Sequence, residues 1–223
     1  MRATIRSVVL STGVTLPYVE QGDPGGVPLI LLHGYSDSWR SWELVLERLP
    51  QRIRAFAVTQ RGHGEADRPA TGYAPQDYAS DVAAFLDAMN VEAAVIAGHS
   101  GGSYSAQQVA IDHPDRTLGL VLVGAFRSFR DNQLVGDLWK EVARLSDPID
   151  PEFVRAFQES TATRPVPAAF LDAVIADSQK LPARVWQAAL RGLLDADPPA
   201  IDRDDRSLHL DPVGRPRRTR PAR

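Results

Sequence analysis

The chain contains no cysteine, so neither a disulfide framework nor a thiolate metal site can be built from it. It also lacks a long hydrophobic run. The opening residues Met1-Arg2-Ala3-Thr4-Ile5-Arg6 have no continuous apolar core of the secretory-signal kind. The longest apolar stretch, around residues 118–126, is far too short to span a bilayer. No membrane association and a cytoplasmic location are therefore expected. An excess of charge of one sign is missing as well: 25 Lys and Arg stand against 28 Asp and Glu, for a net charge of −3. That balance argues against a polyanionic partner, and no nucleic acid is expected. There is no glycine-rich phosphate cradle, no dinucleotide fingerprint and no cluster of metal-ligating residues, so no cofactor is expected either. With 43% hydrophobic and 24% charged residues in a length of 223, the composition is that of a globular protein with a substantial core and room for a small accessory layer.

Read in order, the chain opens with two strand patterns, over 3–11 and 14–21, and a turn at Asp23-Pro24-Gly25-Gly26. Residues 27–32 (VPLILL) are apolar on both faces, as a central parallel strand should be. A helix from Trp39 to about Leu49 follows, then a strand over 53–58 and the loop Gln60-Arg61-Gly62-His63-Gly64. Over 75–90, Tyr78, Val82, Phe85, Leu86 and Met89 fall on one face of a helix. A strand over 91–97, a helix over 104–112 and a buried strand over 117–123 complete this part. The order β-β-β-α-β-α-β-α-β implies an α/β architecture with a doubly wound, mostly parallel sheet. Beyond residue 125 the character changes: 133–145, 151–159, 167–178 and 183–194 all read as helices, separated by Asp147-Pro148, the 161–167 segment and Leu181-Pro182. These are expected to form a cap over the active edge of the sheet, giving a core at 1–125, a helical cap at 126–200 and an Asp-rich linker with an Arg/Pro-rich tail at 201–223.

One motif organises this pattern. Gly98-His99-Ser100-Gly101-Gly102 lies between a predicted strand and a predicted helix, the context in which Gly-x-Ser-x-Gly forms a sharp turn that lifts its serine to the carboxyl edge of the sheet. Small neighbours are needed on both sides because the turn is tight. The helix that starts there aims free backbone N–H groups at any developing negative charge. His33-Gly34-Tyr35 also falls at the carboxyl end of a strand, where functional loops of such sheets gather.

Together, Leu31-Leu32-His33-Gly34-Tyr35, Gln60-Arg61-Gly62-His63-Gly64, Gly98-His99-Ser100-Gly101-Gly102 and the strand Leu118-to-Gly124 resemble the α/β-hydrolase superfamily. Within it, the chain is similar to the helical-cap group of small bacterial hydrolases and haloperoxidase-like esterases. The resemblance covers residues from about 2 to about 205. It implies that Ser100 is the nucleophile and that the backbone N–H groups of Tyr35 and Gly101 hold the acyl oxyanion. A serine at position 100 argues against haloalkane dehalogenases and soluble epoxide hydrolases, which place an aspartate there. The implied partner is a small-molecule ester or related acyl substrate.

The other two members of the triad that the resemblance implies are missing from their usual contexts. After Leu194 come Asp195, Asp197, Asp202, Asp204 and Asp205 without an apolar strand, and no Gly-His pair follows. Residues 206–223 hold six Arg, three Pro and one Asp, a net +5 against −8 for the remainder. This abrupt shift is read as a frameshift or early stop that leaves out the C-terminal strands, with a basic nucleic-acid-binding tail as the less favoured alternative. Of the five histidines, His33 and His63 are expected to support their turns, His99 to point away from the site and His113 to close a helix. His209 lies late enough for a triad base but has no strand before it. Asp131 is too far past Gly124 to carry weight as the acid. The edge left by 118–123 is expected to be uncovered and prone to self-association. Trp139, Phe153, Phe157, Phe170 and Trp186 are candidates for the pocket wall. A non-catalytic small-ligand-binding protein on the same fold is the alternative reading.

Overall fold

A computed structural model describes residues 4–125, 128–130, 132–162 and 164–197. The strands are β1 (Ile5–Val9), β2 (Thr15–Gln21), β3 (Val27–Leu32), β4 (Ile53–Val58), β5 (Ala94–His99) and β6 (Thr117–Val123). They form one sheet in the order β1-β2-β4-β3-β5-β6. β1 and β2 enter antiparallel, whereas β4, β3, β5 and β6 run parallel. The register sets Leu32 beside Val58 and beside Gly98, and His99 beside Val123. The carboxyl ends of four strands thus finish along one line.

The helices are α1 (Glu43–Leu46), α2 (Pro75–Ala88), α3 (Gly101–Asp112), α4 (Gln133–Val142), α5 (Pro151–Thr161), α6 (Ala168–Ser178) and α7 (Ala183–Asp195). On one face of the sheet, Val82, Phe85 and Leu86 of α2 and Ala106 and Val109 of α3 pack against Leu16, Ile30, Phe56 and Ile96. On the other, Trp39, Trp42 and Leu46 cover Leu31, Ala55, Ala57 and Ala97. Burial on both faces is why β3 and β4 read as unbroken apolar runs. The helix expected from Trp39 to Leu49 is shorter: a 3-10 turn at Trp39–Trp42, capped by the Ser38 hydroxyl accepting from Arg40 N, leads into the single turn of α1. Trp39 and Trp42, three positions apart, are both buried against the sheet, the spacing at which side chains share one face of a 3-10 turn.

Helices α4 to α7 bury a cluster of their own. Val142, Val154, Ile175, Val185, Trp186 and Leu190 pack together with Tyr73 and Tyr78 from the sheet side and with Tyr35 from the loop after β3. At the other limit of the described sheet, β6 pairs only with β5. Leu118, Val121, Leu122 and Val123 on it are 44%, 47%, 37% and 45% exposed. Side chains on both faces of this strand are therefore open, which corrects the buried strand that its apolar pattern led one to expect. Among the described residues, no helix is long and apolar enough to cross a membrane.

Candidate active site

Ser100 stands between the end of β5 and the first turn of α3 with φ 50° and ψ −119°, a conformation that costs a non-glycine residue of order 1–3 kcal/mol. The neighbouring glycines make it possible. A Cβ on Gly98 would lie 2.2 Å from the Gly102 carbonyl oxygen, and one on Gly102 would lie 2.4 Å from that of His33. The backbones of the turn and of β3 are in contact, and no larger residue fits. The turn is tied down by Ser100 N–H donating to the Val123 carbonyl at 2.9 Å and Ser103 N–H donating to the Ser100 carbonyl at 2.9 Å. Among the described residues, the Ser100 hydroxyl has no hydrogen-bond partner.

The loop after β3 closes over this turn. A Cβ on Gly101 would come within 3.5 Å of Tyr35 N, so the Tyr35 amide faces the first residue of α3. Ser100, Tyr35 and Gly101 are thus brought together. Around them the same loop is fastened to the helical layer. Tyr35 O–H donates to the Trp186 carbonyl at 2.7 Å. The Gln158 side-chain amide reaches Asp37 Oδ1 at 3.0 Å, Ser36 Oγ at 3.1 Å and Ser178 Oγ at 2.7 Å. Ser38 Oγ donates to Asp177 Oδ2 at 2.6 Å, and Arg40 pairs with the same carboxylate at 3.2 Å. Burial raises the Asp37 carboxyl above the ordinary range, opposed by the Gln158 amide and by His99. The Tyr35 phenol is raised by burial and by Tyr78.

His99 does not point away from this region. A Cβ on Gly34 would meet His99 Nδ1 at 3.1 Å, Asp37 Oδ2 at 3.3 Å and Ser100 Cβ at 3.4 Å. His99, Asp37 and Ser41 form the polar floor of a cavity of about 300 Å³ walled by Trp42, Val45, Val123, Val166, Phe170 and Val174. The expectation is overturned because the ring lies between Gly34 and Gly124, where the missing Cβ atoms leave it room. The aromatic expectation is corrected too. Of the five candidates only Phe170 lines this cavity. Phe153, Phe157 and Trp186 pack edge-on around one another and Tyr35, with ring centroids 5.3–5.7 Å apart. Trp139 packs against that cluster and lies under the Arg191 guanidinium.

His33 and His63 do support their turns. His33 Nδ1 donates to the Gly34 carbonyl at 2.8 Å, and its Nε2 accepts from Gln60 N–H at 2.9 Å. Burial, with His63 adding, lowers the His33 pKa well below the ordinary range. His63 Nδ1 donates to the Arg61 carbonyl at 2.8 Å. Burial pushes its pKa down to about 4, with Arg68 contributing. His113 is the residue at which α3 ends. Asp195 pairs with Arg191 and Asp197 with Arg130, both on exposed surface. Asp131, Asp202, Asp204, Asp205 and His209 lie outside the described residues.

Two arrangements escaped the sequence reading. The Asp37–Gln158–Ser178 clasp joins residues 121 and 20 positions apart and left no local trace beyond the polar run Ser36-Asp37-Ser38. The buried pair Arg61–Asp81, bidentate at 2.6 Å with Thr12 donating to the same carboxylate, did leave one. Asp81 sits on the apolar face of α2 beside Tyr78, Val82 and Phe85, where an unpaired acid would not be tolerated.

Comparison with known proteins agrees with this geometry. The family model described as the alpha/beta hydrolase fold matches residues 27–192. A non-heme chloroperoxidase of Streptomyces lividans is 38% identical over 121 residues, 53% of this chain and 44% of that protein. Mouse epoxide hydrolase 4 is 29% identical over 117 residues, 52% of this chain and 33% of that protein. The chain thus spans less than half the length of these curated relatives. Among solved structures, an esterase from Rhodococcus sp. has a TM-score of 0.72 at 31% identity, covering 83% of this chain and 72% of that one. An esterase from Exiguobacterium antarcticum has a TM-score of 0.74 at 22% identity, covering 87% and 75%, and speaks for the fold alone. With a strained serine turn between β5 and α3 and a family match to residues 27–192 of its 223, the chain belongs to the α/β-hydrolase fold family.

Proposed function

We propose that this chain carries the nucleophile half of a serine hydrolase acting on a small ester or related acyl substrate. Ser100 attacks the acyl carbon, and the backbone N–H groups of Tyr35 and Gly101 receive the oxyanion. The observation that carries the reading is the backbone of Ser100, φ 50° and ψ −119° at the N-terminus of α3, with Tyr35 N facing Gly101. Strain of this kind persists only where the surroundings enforce it, and here it presents an unpaired hydroxyl beside two amides. Removing one such donor costs on the order of 2.7–4 kcal/mol of transition-state stabilisation. A serine rather than a carboxylate at this position favours acyl transfer over the epoxide opening named for one of the relatives. The proposed division is a core at 1–125 with a helical cap at 126–200, and the cavity lined by residues of both, with His99 next to Ser100 on its wall, takes the substrate. The uncovered edge of β6 is where copies of the chain would associate.

Among the described residues, none stands in hydrogen bond to the Ser100 hydroxyl as a general base. Slow turnover is therefore expected, since a nucleophile without its base retains binding and oxyanion stabilisation only. Prolonged incubation with a fluorophosphonate, followed by peptide mass mapping, tests the assignment. The expected result is a single adduct on Ser100 that is absent from Ser100→Ala. Labelling of another residue, or equal labelling of the variant, overturns it.

A further inference from the structure

Beside Tyr35 and Gly101, three buried polar atoms make no hydrogen bond to any described residue: Gln60 Oε1, His63 Nε2 and Tyr78 OH. Two come from the Gln60–Gly64 loop after β4 and one from α2. All three residues line a single small cavity of about 20 Å³, together with His33, Gly34, Tyr35, Gly101, Gly102 and Ser105 and the apolar Ala189 and Leu193 of α7. Water-bonding capacity at each atom is fixed by what its residue does elsewhere. The Gln60 amide uses Nε2 to donate to the His33 carbonyl at 2.9 Å, which leaves Oε1 as an acceptor. His63 Nδ1 faces the Arg61 carbonyl at 2.8 Å. A carbonyl only accepts, so the ring proton is on Nδ1 and Nε2 is a bare acceptor. Tyr78 brings a hydroxyl able to donate. The unpartnered side-chain atoms thus supply two acceptors and one donor to a space that meets the 10–15 Å³ or so that one water needs and is too small for two.

We propose that this cavity is a binding site for one ordered water, which donates to Gln60 Oε1 and His63 Nε2 and accepts from Tyr78 O–H. A cation suits the place less well. It would have no lone pair for the Tyr78 hydroxyl proton, and the Arg61 and Arg68 guanidinium groups are close enough to act on Tyr78 and His63 respectively. The water would connect α2 to both ends of the histidine pair, because the His63 ring packs edge-on against His33 at 5.0 Å and Gln60 bonds the His33 ring and carbonyl. His33 lies two residues before Tyr35, so Gln60, His63 and Tyr78 act as positioning residues for the turn that carries the Tyr35 amide. The site stands whatever chemistry Ser100 performs.

Two measurements on the whole chain test the site without any use of activity. A high-resolution crystal structure is expected to show one spherical density peak within hydrogen-bond distance of all three atoms. An empty cavity overturns the proposal, as do a direct Tyr78–His63 hydrogen bond and a peak whose anomalous signal or coordination marks a metal ion. The second measurement is the melting temperature of Tyr78→Phe. A hydroxyl bound to water is expected to be missed, with a melting temperature lower by about 2–4 °C. A hydroxyl buried dry and unpaired gives the opposite sign, and a rise in melting temperature overturns the proposal. Should Tyr78→Phe not fold, the density in the unaltered chain still decides.

Discussion

His63 shows at the scale of one residue how burial becomes a dependence on pH. Its ring is enclosed beside His33, and burial, with Arg68 close by, holds its pKa at about 4 against an ordinary 6.5. The unfolded chain takes up a proton on this ring from about pH 6.5 downward, while the folded chain refuses it until about pH 4. The stability it secures is complete above pH 6.5 and is lost as pH falls through that window. At 1.36 kcal/mol per pH unit the loss reaches about 3 kcal/mol, and His33, lowered in the same direction by burial and by His63, adds to it. Urea unfolding at pH 7.0 and pH 4.5 is expected to show a marked fall in midpoint, reduced in His63→Gln. A midpoint that ignores pH in this range would contradict the assignment. The support role of both histidines was legible in their motifs, Leu-His-Gly and Arg-Gly-His-Gly. The orientation of His99 was not, because it depends on space that Gly34 and Gly124 leave open from two other segments.

At the scale of elements, the loop after β3 is held by the helices that follow β6. Gln158 of α5 is the central piece, with its amide shared among Ser36, Asp37 and Ser178. Gln158→Leu removes one donor from a buried carboxyl, leaving that of Ser41, and is expected to cost about 1–3 kcal/mol. The loss should appear first as faster proteolysis within α5 and α6, with β1 to β5 still protected. Uniform cleavage across the chain would mean that this clasp is not what holds α5 and α6 in place. The elements themselves were largely legible: β3, β4 and β6 match their sequence patterns at both ends, and α2 differs only at its C-terminus. Those patterns are local, so periodicity reveals them. The clasp is not local. Nothing in the Gln158 neighbourhood says which residue more than a hundred positions earlier will meet it.

For the whole molecule, both limits of the described sheet leave apolar side chains open: Ile5 and Val9 on β1, where Arg6 also pairs with Glu20, and Leu118, Val121, Leu122 and Val123 on β6, where both faces are exposed. Such an edge favours pairing with other chains. Light scattering is expected to find particles larger than one chain that grow with concentration, and Val121→Lys is expected to reduce them. A monomer at all concentrations, unchanged by the variant, would show the edge to be inert. The sheet could be read from its apolar runs, and so could the serine turn. The cavity could not, because its walls come from the loop after β3, β6, α5 and α6 together.

The bond from the Tyr35 hydroxyl to the Trp186 carbonyl spans 151 positions of sequence, and this gives the molecule an order of assembly in time. During synthesis every described strand has been made once Val123 is joined, but the turn bearing Tyr35 lacks its anchor until Trp186 follows. At roughly 5–20 residues per second, that interval is on the order of 3–13 s. For part of those seconds a nascent chain would hold a complete set of described strands beside a loop after β3 that still lacks its Trp186 contact.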